Sequence, residues 1–271
     1  MSSHTSPAIE LRGTSKSFRT PSGALHTAVR DLDLVVGRGE FVAVVGPTGC
    51  GKSTTLTLIS GLEEPTEGEV LVAGEPVRGI GEKIGFVFQQ DAVFPWRTVL
   101  SNVMAGPRFR GVPKPEARRR AREWLARVGL AAFEDRYPHQ LSGGQRKRVA
   151  LAATFVNDPE LLLMDEPFSA LDVQTRALMS DELLELWSGT GASVVFVTHD
   201  LEESIALADK VVVMTAGPAT VKEVFEVDLP RPRRVESVRL EPRFIEIYRE
   251  IWSSLGEEVR ITRERGAADA A

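Results

Sequence analysis

Three short segments carry side chains suited to phosphate chemistry. Residues 46–54 read GPTGCGKST. Gly46, Gly51, Lys52 and Ser53 have the spacing of a loop whose backbone N–H groups surround phosphate oxygens, helped by the N-terminus of the next helix. Lys52 would set a point charge on the outer phosphates, and Ser53 a hydroxyl on Mg²⁺. Pro47, Thr48, Gly49, Cys50 and Thr54 complete the loop. Residues 161–167 read LLLMDEP. Four apolar residues predict a buried strand, with Asp165 and Glu166 at its C-terminal end, where open α/β sheets place ligands. Asp165 suits Mg²⁺ through water. Glu166 suits a general base or a group that polarises the attacking water. Alone, such an end is more often a solvated terminus; beside a phosphate loop the odds reverse. Residues 141–145 read LSGGQ. Ser142 is a natural N-cap, and Gly143 and Gly144 expose N–H groups to which a phosphate can come close. Glycine in a first turn costs about 1 kcal/mol relative to alanine, so the pair suggests close approach of something.

Positioning these residues requires strands before loops. Residues 8–45 read as strand-rich: Ile9–Phe18, a turn at Thr20–Gly23, an alternating Asp31–Val36, and a buried Glu40–Val45 feeding the phosphate loop and a helix from Lys52. Short strands follow at Glu69–Val72 and Ile84–Gln89. After Trp96 the pattern turns helical, including an arginine-rich Pro115–Val128. Leu161–Met164, Ser193–Val197 and Lys210–Met214 are apolar runs typical of parallel strands covered on both faces. The expected fold is α/β with a helical insertion. A strand at Val221–Val227, the segment LPRPRR, a helix at Pro242–Leu255 and disorder over 266–271 complete the expectation.

Composition narrows the class. The chain has 271 residues, 42% of them hydrophobic, enough for a proper core, and a net charge of −5. That balance does not favour nucleic acid as a partner. The arginines at 118–127 are interrupted by Glu116 and Glu123, as on a solvated helix face. The lone cysteine, Cys50, fits a reducing compartment. The N-terminal MSSHTSPAIELRG lacks the apolar stretch of a signal peptide. No run approaches the roughly 20 apolar residues of a membrane span. Any membrane role is therefore expected to come through a partner.

These landmarks, in this order, resemble the nucleotide-binding subunits of ATP-binding cassette (ABC) transporters over nearly the whole chain. The resemblance implies an ATPase using ATP and Mg²⁺, with a P-loop NTPase (RecA-like) core, an antiparallel β subdomain and an inserted α-helical subdomain. Residues 1–271 would form a single domain: a core from 1–89 and 161–217, a helical subdomain at 90–160 carrying the signature, and an extension at 218–271. It also implies roles by position. Phe18 matches an aromatic that stacks on adenine. Gln89 matches a glutamine linking Mg²⁺ and water to the transporter contact. Ser169–Asp172 (SALD) matches a loop that crosses to the other subunit. His199, in VTHD, matches a switch histidine at the γ-phosphate. Ser142, Gly143, Gly144 and Gln145 would face the nucleotide of a second copy.

Residues 95–103 (PWRTVLSNV), 168–176 (FSALDVQTR) and LPRPR at 229–233 resemble the nitrate/sulfonate/taurine-type importer ATPases. Ala153 departs from that pattern, where arginine is usual, as does Gln145, where methionine is common. The implied partners are a second copy, transmembrane permease subunits and, through them, an extracytoplasmic solute-binding protein, at the cytoplasmic face of the membrane. Other transporter classes, an amino-acid importer or an exporter, remain open. A non-transport ABC ATPase would usually need a coiled coil or a second cassette. The stretch between Gln89 and Leu141 is too short for the first, and the single phosphate loop argues against the second. Two local expectations follow. Cys50, beside Lys52 and a helix N-terminus, should have a lowered thiol pKa and react with a maleimide. Phe94, Pro95 and Trp96 either anchor their loop to the core or form an exposed docking surface.

Overall fold

The computed structural model describes residues 6–21, 23–90 and 92–269, with side chains to Arg265. In chain order the elements are β1 (Ile9–Arg19), β2 (Leu25–Val36), β3 (Phe41–Val45), α1 (Lys52–Ser60), β4 (Glu67–Val72), β5 (Glu75–Pro76) and β6 (Ile84–Val87). Then come α2 (Val99–Val103), α3 (Ala105–Phe109), α4 (Lys114–Arg127), α5 (Gly143–Phe155), β7 (Leu161–Asp165) and α6 (Val173–Trp187). The chain closes with β8 (Ser193–Val197), α7 (Leu201–Leu207), β9 (Lys210–Met214), β10 (Val221–Glu226), α8 (Val235–Val238) and α9 (Pro242–Asp269). They divide into two compact units, residues 1–82 with 193–271, and residues 83–192.

The first unit holds two sheets. An antiparallel sheet runs β2-β1-β4-β5, with Ile9 opposite both Val36 and Val72. Its buried residues alternate along β2, as a sheet with one covered face requires. In the other sheet β3 lies parallel between β8 and β9, and β10 returns antiparallel to β9. Every residue of β3 and β8 is buried, which explains why both sequences are apolar without alternation. Helix α9 packs on α7, β9 and β10.

The C-terminal segment is tied down by two arginines. Arg233, buried, donates to the carbonyls of Ile205, Ala208, Val227 and Leu229. Arg231 donates to Leu207 O at 2.7 Å and pairs with Asp209. Burial holds the Arg233 guanidinium down at about 10. The LPRPR segment thus supplies donors to the last turn of α7, whose carbonyls have no partner within the helix.

In the second unit β6 and β7 pair in parallel, Phe86 opposite Leu163, and helices α2 to α6 form the rest. Trp124 of α4 stacks on Phe155 of α5 at 5.3 Å, forming part of the core of the helical portion. On the charged face of α4, Arg119 pairs with Glu116 and Glu123 within the helix, and Arg122 pairs with Glu134 beyond its end.

Two expectations are corrected. The strand expected over Ile84–Gln89 ends at Val87, which leaves Gln89 in a loop. The last helix does not stop at Leu255 but runs to Asp269, so the disorder expected over 266–271 is not found at 266–269. Ala270 and Ala271 lie outside the described residues.

Candidate functional site

Each unit carries part of the expected constellation. In the first, β3 delivers the chain into the phosphate loop and α1 leaves it. Gly51 at the junction has φ 124°, and a Cβ there would sit 2.5 Å from Ala28 O. Only glycine fits. The first turn of α1 contains no acidic residue, so its open N–H groups favour an anion. Lys52 is 6% exposed and donates from Nζ to Gly46 O at 2.8 Å and Pro47 O at 2.9 Å. The ammonium is thereby folded over the loop. Ser53 is exposed at the start of α1.

Cys50 corrects an expectation. It is 3% exposed, and burial pushes its thiol up, outweighing the opposing pull of Lys52; Glu258 adds to the upward push. A lowered pKa is therefore not found. Phe18, at the end of β1, is 36% exposed, with Lys16 Nζ 5.1 Å from its ring centroid. It is not a core residue. His199 is exposed just after β8 and sits between two fixed neighbours. Thr198 Oγ1 donates to the buried Glu203 at 2.5 Å, and Asp200 caps α7 by accepting from Glu203 N at 3.1 Å. The backbone at His199 is held from both sides.

In the second unit the structure brings Gln89, Glu166 and Ser169 together. Gln89 Nε2 donates to Glu166 Oε2 at 3.3 Å and to Ser169 Oγ at 3.4 Å. Glu166, one residue beyond β7 and Asp165, has φ 44°, a backbone region uncommon for a residue with a Cβ. Ser169 N and Oγ both donate to Glu166 O, at 3.2 and 3.0 Å, and hold that turn. Such strain persists where the surroundings over-determine it. Asp172, ending SALD, caps α6 by accepting from Thr175 N at 3.0 Å.

Sequence reasoning missed Lys147. It is buried on α5 and donates to Gln89 O at 2.7 Å. This ties the helix that begins at the signature to the loop that carries Gln89. A lysine between two arginines in a basic run gives no local sign of that contact.

The signature itself opens α5 with a reciprocal cap. Ser142 Oγ accepts from Gln145 N at 3.2 Å, and Gln145 Oε1 accepts from Ser142 N at 3.0 Å. No acidic residue lies in the first turn. Beyond Gln89, buried Asn102 bonds to Phe94 N and to the carbonyls of Phe94, Arg97 and Thr98. The loop is thus stitched to α2, and Trp96 points outward, 72% exposed. Nearby, a cavity of about 260 Å³ is lined by residues that include Phe86, Phe88, Phe94, Phe109, Ala150 and Ala153.

Comparison with known proteins bears on the family and the fold. A family model described as ABC transporter matches residues 29–169, and one described as AAA domain, putative AbiEii toxin, Type IV TA system matches 134–206. The chain is 48% identical over 251 residues to an uncharacterized ABC transporter ATP-binding protein of Methanocaldococcus jannaschii, covering 93% of this chain and 92% of that protein. It is 38% identical over 229 residues to an aliphatic sulfonates import ATP-binding protein of Bacillus cereus, covering 84% of this chain and 90% of that one. To a spermidine/putrescine import ATP-binding protein of Rubrobacter xylanophilus it is 46% identical, over 80% of this chain and 59% of that one. Among solved structures, a dimeric post-hydrolysis state of an ATP-binding cassette bound to ADP and Pi superimposes with a TM-score of 0.72 at 32% identity, covering 82% of this chain and all of that one. No helix among the described residues is long and apolar enough to cross a membrane. The phosphate loop, signature and acidic strand end therefore lie on a P-loop NTPase fold, and the chain belongs to the ABC transporter ATPase family.

Proposed function

We propose that this chain is the ATP-hydrolysing subunit of an ABC importer, a single ABC ATPase domain acting at the cytoplasmic face of the membrane. The observation that carries the reading is the phosphate loop: a buried ammonium folded over it, beside a helix N-terminus without acidic residues. Residues 46–54 hold the phosphates, and Phe18 takes the adenine. Glu166 accepts the proton of the attacking water, and Gln89 and His199 orient the water and the γ-phosphate. Ser53, Gln89 and Asp165 offer hard oxygen donors that suit Mg²⁺. Gln89 fits this part because its amide nitrogen already faces Glu166 and Ser169, which leaves Oε1 for the cation or its water. Bound Mg²⁺ supplies charge neutralisation on the phosphate oxygens. A steady-state assay of phosphate release from ATP by the purified chain tests the reading, and absence of turnover overturns it.

The second copy follows from the signature. Its capped helix start presents the N–H groups of Gly143 and Gly144, and these residues, with Ser142 and Gln145, serve a nucleotide held by the other copy's phosphate loop. ATP then bridges two chains, and hydrolysis removes the bridge. The cargo is a small solute such as a sulfonate, taurine, nitrate or a pyrimidine precursor, delivered by a solute-binding protein through the permease. The sulfonate-import relative supports that choice. The identity to a polyamine-import relative supports an importer of another cargo equally well. Transport assays with each solute class separate the two.

The permease docks at the Phe94–Trp96 loop. The exposure of Trp96 and the neighbouring aromatic-lined cavity support an interaction surface. Trp96→Ala is expected to leave melting and basal ATPase activity near wild type while co-purification with the permease is lost. An aromatic anchor of this kind carries about 2 kcal/mol or more of an interface. A large drop in melting temperature would make Trp96 a packing residue instead. Lys147→Met keeps the side-chain volume but leaves Gln89 O without its donor. The expected outcome is a kcat lowered about three- to tenfold, since a hydrogen bond of this kind contributes about 0.5–1.5 kcal/mol. Wild-type kcat would detach Lys147 from the positioning of Gln89.

A further inference from the structure

The turn between β9 and β10, residues 215–220, lies between the phosphate loop and the C-terminal helix. On one side Gly217 packs against the backbone of Cys50: a Cβ on Gly217 would lie 3.7 Å from Cys50 Cα and O. Ala219 packs more closely on Gly51, where an added Cβ would come within 2.8 Å of the Ala219 Cβ. Ala216, Gly217 and Pro218 share a cavity of about 380 Å³ with Gly49, Cys50, His26 and Arg30. On the other side α9 holds the turn by side chains alone. Glu258, 6% exposed, accepts from Ala216 N at 2.8 Å and is paired with Lys222 at 2.8 Å. Arg265 Nη1 donates to Ala216 O at 2.9 Å and Gly217 O at 2.7 Å. Both backbone groups of Ala216 are therefore bonded to residues of α9 that lie 42 and 49 positions later in the chain.

We infer that Glu258 and Arg265 of α9 are positioning residues for the phosphate loop, acting through the Ala216–Ala219 turn, so that the C-terminal helix sets ATP affinity. A helix whose only role was to cover β9 and β10 would not need to bond both the N–H and the C=O of one turn residue. The carboxylate of Glu258 is buried, and a buried charge is retained where its partners use it. Lys222 neutralises one oxygen of Glu258, and the other is given to Ala216 N, on the turn that backs the loop at Cys50 and Gly51. Release of the turn frees the loop at the residues where its N–H groups must converge on phosphate. The inference rests on the reading of residues 46–54 as the ATP phosphate loop.

The test uses the full chain and two readouts. Cys50 is the only cysteine, so alkylation by N-ethylmaleimide reports on one site, and its burial makes the wild-type reaction slow. Arg265→Ala removes two bonds through an exposed side chain. It is expected to speed Cys50 alkylation about fivefold or more and to raise the ATP Kd by calorimetry about three- to tenfold, as loss of hydrogen bonds from a charged donor implies. Its melting temperature should stay close to wild type. Because a single nitrogen serves both carbonyls, Arg265→Lys retains a cationic donor and should restore both readouts. Glu258→Ala should repeat the Arg265→Ala result with a larger alkylation rate. Wild-type alkylation and Kd in Arg265→Ala overturn the inference. So does a weakened Kd that tracks a fall in melting temperature, since that is general destabilisation. If the wild-type chain fails to bind ATP, the functional reading fails, and the alkylation rates alone still decide whether α9 holds the loop.

Discussion

Glu166→Gln is expected to bind ATP with wild-type affinity and to hydrolyse it about 10²–10⁴-fold more slowly, the usual worth of a general base. The substitution is nearly isosteric. Glu166 receives the Gln89 amide through Oε2, and glutamine keeps a carbonyl oxygen that can accept the same bond. The turn that holds residue 166 at positive φ is bonded through Ser169 to the backbone carbonyl of 166, which the substitution leaves in place. The site should therefore keep its shape and lose only its capacity to take a proton from water. With hydrolysis blocked and Mg²⁺ present, ATP should hold two copies together long enough to shift the elution volume on size exclusion. Near wild-type steady-state turnover would remove Glu166 from the role, and an unchanged elution volume with ATP bound would count against the two-chain site.

Lys52→Ala is expected to weaken ATP binding about ten- to hundredfold, since hydrogen bonds to a charged partner are worth about 1.5–3 kcal/mol. The structure adds a second reason. Lys52 Nζ is bonded to the carbonyls of Gly46 and Pro47, so the side chain braces the loop as well as charging it. Alanine removes the brace, and two buried carbonyls lose their donor. The loss should appear in the ATP Kd by calorimetry and in hydrolysis together. Unchanged affinity would contradict the assignment of residues 46–54 as a phosphate loop.

The candidate site was legible wherever its features were local. The phosphate loop, the signature cap and the acidic strand end each declare themselves within a few consecutive residues, because phosphate recognition by backbone N–H groups demands glycines at fixed spacing. The strands were legible because β3 and β8 are buried throughout and so contain little but valine, phenylalanine and alanine. What failed was set by distance in the chain. Cys50 looked activated from its neighbours, Lys52 and a helix start, but burial decides its thiol and pushes it up. Lys147 gave no sign of Gln89, which lies far earlier in the sequence. Helix α9 was expected to stop before Gly256. A Cβ at Gly256 would meet nothing within 4 Å, and no close approach or turn calls for the glycine there. The helix runs on past it, and Glu258 and Arg265 bond to the β9–β10 turn beyond.

The arginines at 231 and 233 have a consequence for biosynthesis. A ribosome makes α7 well before it makes LPRPR, and chains fold from the N-terminus as they emerge. Until Arg231 and Arg233 leave the exit tunnel, the carbonyls of Ile205, Leu207 and Ala208 lack the donors that serve them in the finished protein. The C-terminal end of α7 therefore acquires its final support late, after every expected site residue has been synthesised. A nascent chain released before residue 233 would carry every expected site residue, with the end of α7 not yet closed.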